Sequence, residues 1–544
     1  MTATRIHADD AVPLTVPEAI RQQAARHGAR TLLTCDDDNL TYEEADRRSR
    51  ELACGLLALG AGKGTHVGLL HPDGPDFVVA ALAAARIGAV TLPMSTLSTP
   101  SELGTLLRNG DVGILLATSS YRSHDYVAAL AAAVPGFDPA AEAPLFTASA
   151  PVLRHVFFAD TPSGVAYSRT IARLIERGTE LDEDVAQAAE DAVDPSDRLV
   201  IVYTSGSTSA PKGVVHNHGS LLRHLHNLNE MRRYTPDEVL FSNSPYFWIG
   251  GYAYIMLGTL LAGARMLCSN ATRPADVLDF LERERPTMVN GYVQSIARLA
   301  ADPTFAGRDL SSIRRGNLYP IMPTDVRPAD PALRHQMLGM TETGSVCLAS
   351  EDEGDQPEHR RGSFGRPVPG FEARITDFDG GADPGPGHQG ELWLRGPFVM
   401  EGYHGRERGE VFDADGWYHS GDIFSVDDEG FFHFHGRRGD MIKTAGANVS
   451  PTEVADAIRE ISGLDALVVG LPDAERGQIV AAAVRVVRDD HAPAPDELRR
   501  RLAEHLSAYK IPRRIVLIAD DEVPTKPSGK IDIPALKELL GADS

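Results

Sequence analysis

Hydrophobic positions change their period several times between Val16 and Met94. Val16-Pro17-Glu18-Ala19-Ile20 opens at helical spacing, whereas Thr31-Leu32-Leu33-Thr34 is a short apolar run with strand character. In Thr41-Tyr42-Glu43-Glu44 a hydroxyl stands three residues before a glutamate, the capping-box pattern that starts a helix. The pattern therefore predicts a helix over 44–59, a strand over 66–70, a helix over 76–87 and a strand over 89–93. Strands that alternate with helices imply a layered α/β domain with parallel strands. A buried strand is expected over 199–202 and a helix over 219–231. The stretch 118–197 says less: an alanine-rich helix near 126–134, a Pro/Ala segment over 135–151 and a solvated acidic run at Leu181-Asp182-Glu183-Asp184. Beyond residue 440 the pattern predicts a smaller α+β unit: helices over 454–461 and 495–506, and strands over 466–471, 478–487 and 514–518.

Length and charge narrow the picture. A chain of 544 residues exceeds one ordinary core, so at least two domains are expected. The 53 basic and 76 acidic residues leave a formal charge of −23, which argues against nucleic acid or an anionic membrane as the main partner. Cys35, Cys54, Cys268 and Cys347 are scattered and form no Cys-x-x-Cys pair, a pattern of reduced thiols. No apolar leader stands at the N-terminus, and a cytoplasmic location is expected. The most apolar stretch, 77–94, carries Arg86, Gly88 and Pro93 and reads as a helix followed by a strand, so no membrane span is expected.

Candidate chemistry begins after the strand at 199–202. Tyr203-Thr204-Ser205-Gly206-Ser207-Thr208-Ser209-Ala210-Pro211-Lys212-Gly213 combines small residues, hydroxyl donors and one cation, which suits a loop that cradles phosphate. It is not a Walker loop, because Pro211 precedes Lys212 and Gly213 follows it. His216, His218, His224 and His226 follow closely, but their spacing points to structural roles rather than a metal site. Ser242 to Tyr252 concentrates aromatic residues beside Gly250 and Gly251, as expected of a surface that another molecule approaches. Thr341 and Glu342 set a hydroxyl beside a carboxylate, which suits Mg²⁺, a hard cation with oxygen ligands. Gly416-Trp417-Tyr418-His419-Ser420-Gly421-Asp422 delivers a further carboxylate, and Arg437, Lys443 and Lys530 are later candidate cations.

Taken in order, six of these segments resemble the signatures of the adenylate-forming superfamily, which includes acyl-CoA synthetases and aryl-CoA ligases. The resemblance spans almost the whole chain. It implies a large N-terminal domain of layered α/β subdomains at 1–436, a hinge at 437–440 with Gly439 at its pivot, and a mobile α+β lid at 441–544. It also implies ATP and Mg²⁺ as cofactors and CoA as second substrate. Thr204, Ser205, Gly206, Ser207, Thr208 and Lys212 would hold the β/γ-phosphates. Gly316, Asn317, Gln336, Leu338, Gly339 and Met340 would surround the nucleotide, Asp422 the ribose, and Arg437 ribose and phosphate. Thr341 would meet the α-phosphate, Glu342 with Thr204 the metal, and Lys530 the reacting carboxylate and phosphate. Lys443 and the turn Thr444-Ala445-Gly446-Ala447-Asn448 would serve the thiol step, and Trp248, Gly251 and Tyr292 would line the acyl pocket. Trp248 and Leu338 stand where the family commonly has histidine and tyrosine. The expected partners are a small-molecule acid and CoA, with a homodimer left open. Alternatives keep the fold but activate nitrite, load a carrier protein or an amine, or bind nucleotide without turnover.

Overall fold

A computed structural model of the chain describes residues 12–140, 144–160, 169–204, 211–377, 385–437, 441–486, 493–519, 522–524 and 531–541. Ser205, Gly206, Ser207, Thr208, Gly439 and Lys530 lie outside the described residues.

Two large sheets form the first part of the chain. One runs in the order Gly402–Tyr403, Lys212–Asn217, Arg198–Thr204, Val90–Pro93, His66–Leu70, Ile114–Ala117, His155–Phe158. From Arg198–Thr204 onward its neighbours are parallel, and the first two strands are added antiparallel. The other sheet sets Arg315–Gly316, Met288–Asn290, Val239–Ser242, Arg265–Cys268 and Thr31–Cys35 parallel, and Asp38–Thr41 closes it antiparallel. The expected parallel α/β layering is thus present twice.

Helix Pro75–Arg86 explains why the chain is most apolar there. It touches strands of both sheets and is buried along its last ten residues, so no face needs to be polar. Arg86 ends it fully buried, its charge met by Glu190 at 2.7 Å and by Asp46. A buried cation needs such partners. Among the described residues, no helix is long and apolar enough to cross a membrane.

The helix expected over 44–59 starts earlier, at Tyr42, because Thr41 and Glu44 form the capping box. The helix expected over 495–506 ends at Leu502. An antiparallel sheet of Glu372–Thr376, Gly390–Arg395, Tyr418–Val426 and Phe432–Arg437, not anticipated from hydrophobic period, bridges to the last part of the chain. That last part has its own sheet, built on Ala466–Asp473, Gly477–Val486 and Arg514–Ala519, and its own apolar clusters under Pro451–Ser462, Pro495–Leu502 and Ile533–Gly541. It meets the first part where Lys510 Nζ reaches Glu102 at 2.7 Å and Glu453 at 2.8 Å.

Candidate active site

The site forms where strand ends from several sheets converge on a cleft of about 880 Å³. Strands Arg198–Thr204 and Lys212–Asn217 pair antiparallel with Lys212 opposite Thr204, so both ends of the hydroxyl-rich loop stand at the cleft. Lys212 Nζ lies 5.2 Å from the Tyr403 ring centroid. Burial lowers its pKa, Arg406 adds to the effect, and Glu342 opposes it.

Opposite Lys212, Thr341-Glu342-Thr343 makes one tight turn. Glu342 is 9% exposed, and its Oε1 accepts from the Tyr403 hydroxyl at 2.9 Å, with the Tyr418 hydroxyl 3.2 Å beyond. His216 Nε2 donates to the Thr341 carbonyl at 2.7 Å. Burial lowers the pKa of that histidine, keeping it neutral and fixing the turn against strand Lys212–Asn217. His218 accepts from the Val16 N–H at 3.2 Å, and His224 lies within 5.4 Å of the rings of Phe371 and Phe398. His216, His218 and His224 are therefore structural, as their spacing suggested.

Asp422 and Arg437 face each other in register on strands Tyr418–Val426 and Phe432–Arg437, with Arg437 Nε 3.2 Å from Asp422 Oδ1. Burial raises the Asp422 carboxyl above its ordinary range, while Arg437 and then Lys443 pull it back. Lys443 rests 5.1 Å from the Phe434 ring centroid, its own pKa lowered by burial.

The aromatic wall consists of Trp248 and Tyr292, edge to face with centroids 5.3 Å apart. Gly446, Ala447 and Asn448 line the same cleft. A Cβ on Gly446 would stand 2.7 Å from the Tyr292 ring, so that turn packs directly on Tyr292.

Not every sequence candidate lines the main cleft. Gly250, not Gly251, lines the cleft; a Cβ on Gly251 would fall 2.1 Å from the Pro245 carbonyl oxygen, so Gly251 serves backbone packing. Leu338, Gly339 and Met340 line the main cleft, whereas Gly316, Asn317 and Gln336 line a neighbouring cavity of about 160 Å³. Gly316 has a packing reason as well, because a Cβ there would sit 1.9 Å from the Val289 carbonyl oxygen. Sequence reasoning missed Tyr403 and Arg406, and it did not anticipate that Tyr418 stands behind the Glu342 contact or that His216 holds the Thr341 carbonyl.

Among the described residues, no cluster of three or more His, Cys, Asp or Glu side chains could hold a metal. One buried carboxylate, Glu342, lining the same cleft as Thr204, fits Mg²⁺ that takes most of its oxygens from phosphate and water.

Two family models match the chain: "AMP-binding enzyme" over residues 20–404 and "AMP-binding enzyme C-terminal domain" over 456–530. A feruloyl-CoA synthase from Amycolatopsis sp. is 33% identical over 519 residues, covering 93% of this chain and 94% of the relative. The 4-coumarate–CoA ligase 5 of Oryza sativa subsp. japonica is 30% identical over 522 residues, covering 93% and 90%. Among solved structures, the amide bond synthetase McbA from Marinactinospora thermotolerans superposes with a TM-score of 0.79 at 25% identity, covering 96% of this chain and 99% of the other. The o-succinylbenzoate CoA synthetase of Bacillus subtilis, at 22% identity and a TM-score of 0.73, shares the fold over 96% and 98%.

Proposed function

We propose that this chain, which belongs to the AMP-binding enzyme family, is an ATP-dependent ligase that joins a carboxylic acid to the thiol of CoA through an acyl-adenylate. The observation that carries the reading is the convergence of Lys212, Thr341, Glu342, Asp422 and Arg437 on one cleft beside the Trp248–Tyr292 wall.

In the first step a carboxylate oxygen of the acid bonds to the α-phosphorus of ATP, and the bond to the pyrophosphate oxygen breaks. Such a transfer needs positioning and charge neutralisation more than covalent help. Lys212 and the Thr204–Thr208 loop hold the departing phosphates, Thr341 the α-phosphate, Asp422 the ribose hydroxyls and Arg437 ribose and phosphate. Mg²⁺ at Glu342 would supply further neutralisation. Lys530 spans the acid and the α-phosphate. In the second step the CoA sulfur, having lost its proton, bonds to the acyl carbon and AMP leaves with its phosphate oxygen. Lys443 and the 444–448 turn serve this step after the lid, residues 441–544, turns about Gly439.

The aromatic wall and the two relatives named for hydroxycinnamate-type ligases make aryl acids the first substrates to try, and we place the enzyme in the cytoplasm. Acid-dependent ATP–pyrophosphate exchange with a panel of aryl, short-chain and long-chain acids and nitrite, followed by transfer to CoA or an amine, tests the reading. Acid-dependent exchange with CoA thioester formation is expected; absence of exchange with every acid would overturn it. Lys530→Ala is expected to abolish exchange while leaving conversion of supplied acyl-adenylate to thioester largely intact.

A further inference from the structure

The acyl wall is held by a feature that the reaction chemistry does not assign. Strands Val239–Ser242, Met288–Asn290 and Arg315–Gly316 run parallel and end side by side, with Asn290, Gly316 and Asn317 lining the smaller cavity and Tyr292 lining the main cleft; the carboxyl edge of a parallel sheet is where ligands gather. Past that edge the backbone ladder would stop, leaving the next peptide groups unpaired. Two asparagines continue it instead. On one side Asn243 Oδ1 accepts the Tyr292 N–H at 2.9 Å and its Nδ2 donates to the Tyr292 carbonyl at 3.0 Å. On the other, Asn317 Oδ1 accepts the Gly291 N–H at 2.9 Å and its Nδ2 donates to the Gly291 carbonyl at 3.0 Å. A carboxamide carries one acceptor and a donor in peptide-like geometry, so each side chain substitutes for a strand.

The fit requires glycine at 291. Its φ is +154°, and a Cβ there would stand 1.9 Å from Asn243 Oδ1. The residue so fixed, Tyr292, bears the ring that meets Trp248 and Gly446.

We propose that Asn243 and Asn317 are positioning residues that clamp Gly291-Tyr292 from both sides and thereby set the depth of the acyl pocket, making them determinants of acid specificity rather than of nucleotide binding. The proposal rests on the ligase reading above. It also reassigns Asn317, whose carboxamide oxygen and nitrogen both engage Gly291, away from the nucleotide.

The test measures KM for acid and for ATP by pyrophosphate exchange in the full-length chain, with melting temperature as a control on folding. Asn243→Ala and Asn317→Ala are each expected to raise the acid KM about tenfold, the effect of losing one or two hydrogen bonds, and to alter preference along an acid panel. The ATP KM is expected to stay within about twofold. Asn243→Asp keeps the acceptor but turns the donor into a repelling oxygen; protonation restores a donor. Its acid-KM defect relative to wild type is therefore expected to shrink as pH falls, a response that general loosening would not give. A rise in ATP KM equal to or larger than that for acid, or a pH-independent Asp variant with an unchanged acid profile, would overturn the clamp. Loss of acid-dependent exchange in the wild type would instead overturn the ligase reading.

Discussion

Burial raises the Asp422 carboxyl, and Arg437 and Lys443 lower it again. The ribose contact proposed for Asp422 needs the ionised carboxylate, so ATP binding is expected to weaken as pH falls through this raised value. Lys443→Met removes a stabilising positive charge, so the carboxyl pKa rises further and the acid limb of the ATP KM profile is expected to move to higher pH. A limb that stays in place would show that Lys443 does not act on Asp422. Tyr403→Phe removes the phenol that Glu342 accepts from. A hydrogen bond to a charged group contributes about 1.5–3 kcal/mol, and the substitution is expected to lower kcat/KM by roughly tenfold to a hundredfold, read by steady-state kinetics. Lys212, Glu342, Asp422 and Arg437 could be singled out in the sequence because each sits in a short local pattern of hydroxyls, glycines or aromatics, whereas Arg406 has no such pattern around it. The contacts of Tyr403 with Glu342 and of His216 with Thr341 were not legible, because the partners lie 61 and 125 residues away and no local pattern encodes such a contact.

At the scale of elements, the two parallel sheets were legible from the alternation of strand and helix periods, and even the unusual apolar helix Pro75–Arg86 found its reason in being covered on all sides. The bridging antiparallel sheet was harder to read, since its strands are rich in histidine, glycine and charge and only the ends facing the cleft carry the expected carboxylate and arginine. The aromatic segment shows the same limit. Gly250-Gly251 marked a close approach, but sequence could not say which glycine meets backbone and which meets the cleft. Residues Gly250–Leu257 wind as a wide π-helical stretch that turns Gly251 toward Pro245. Gly251→Ala is accordingly expected to destabilise the fold, with a lower melting temperature and a broad loss of activity. Trp248→Ala should leave melting nearly unchanged and shift acid preference toward bulkier acids; an unchanged acid profile would remove Trp248 from the pocket wall.

The molecule as a whole is joined through a small polar junction. Lys510 is shared by Glu102, the capping-box glutamate of helix Pro100–Asn109, and Glu453, in the first turn of helix Pro451–Ser462. Lys510→Met leaves two buried carboxylates uncompensated in this docked arrangement. Thioester formation is expected to fall at least about tenfold while acid-dependent exchange persists, and equal loss in both assays would tie Lys510 to folding alone.

Stability has a separate pH signature. Asp73, half-buried, accepts the Tyr246 N–H at 2.8 Å, and desolvation of its carboxyl pushes the pKa up to about 7. A carboxyl raised in the fold stabilises fully below its unfolded value near about 4 and loses that contribution as pH rises through about 7. Asp73→Asn keeps an acceptor without the charge, so its melting temperature relative to wild type is expected to climb between about pH 5 and pH 8; a flat difference would remove Asp73 as the source.

The contact between Gly446 and the Tyr292 ring bears on redesign. The Tyr292 ring meets Trp248 and also receives the turn of the smaller unit, so a substitution at 292 meant to admit a larger acid in the proposed pocket also reshapes the seat on which the turn rests. Trp248 meets that ring edge to face, and a programme to retarget the enzyme should begin there, leaving Gly291, Tyr292 and the two asparagines that hold them in place.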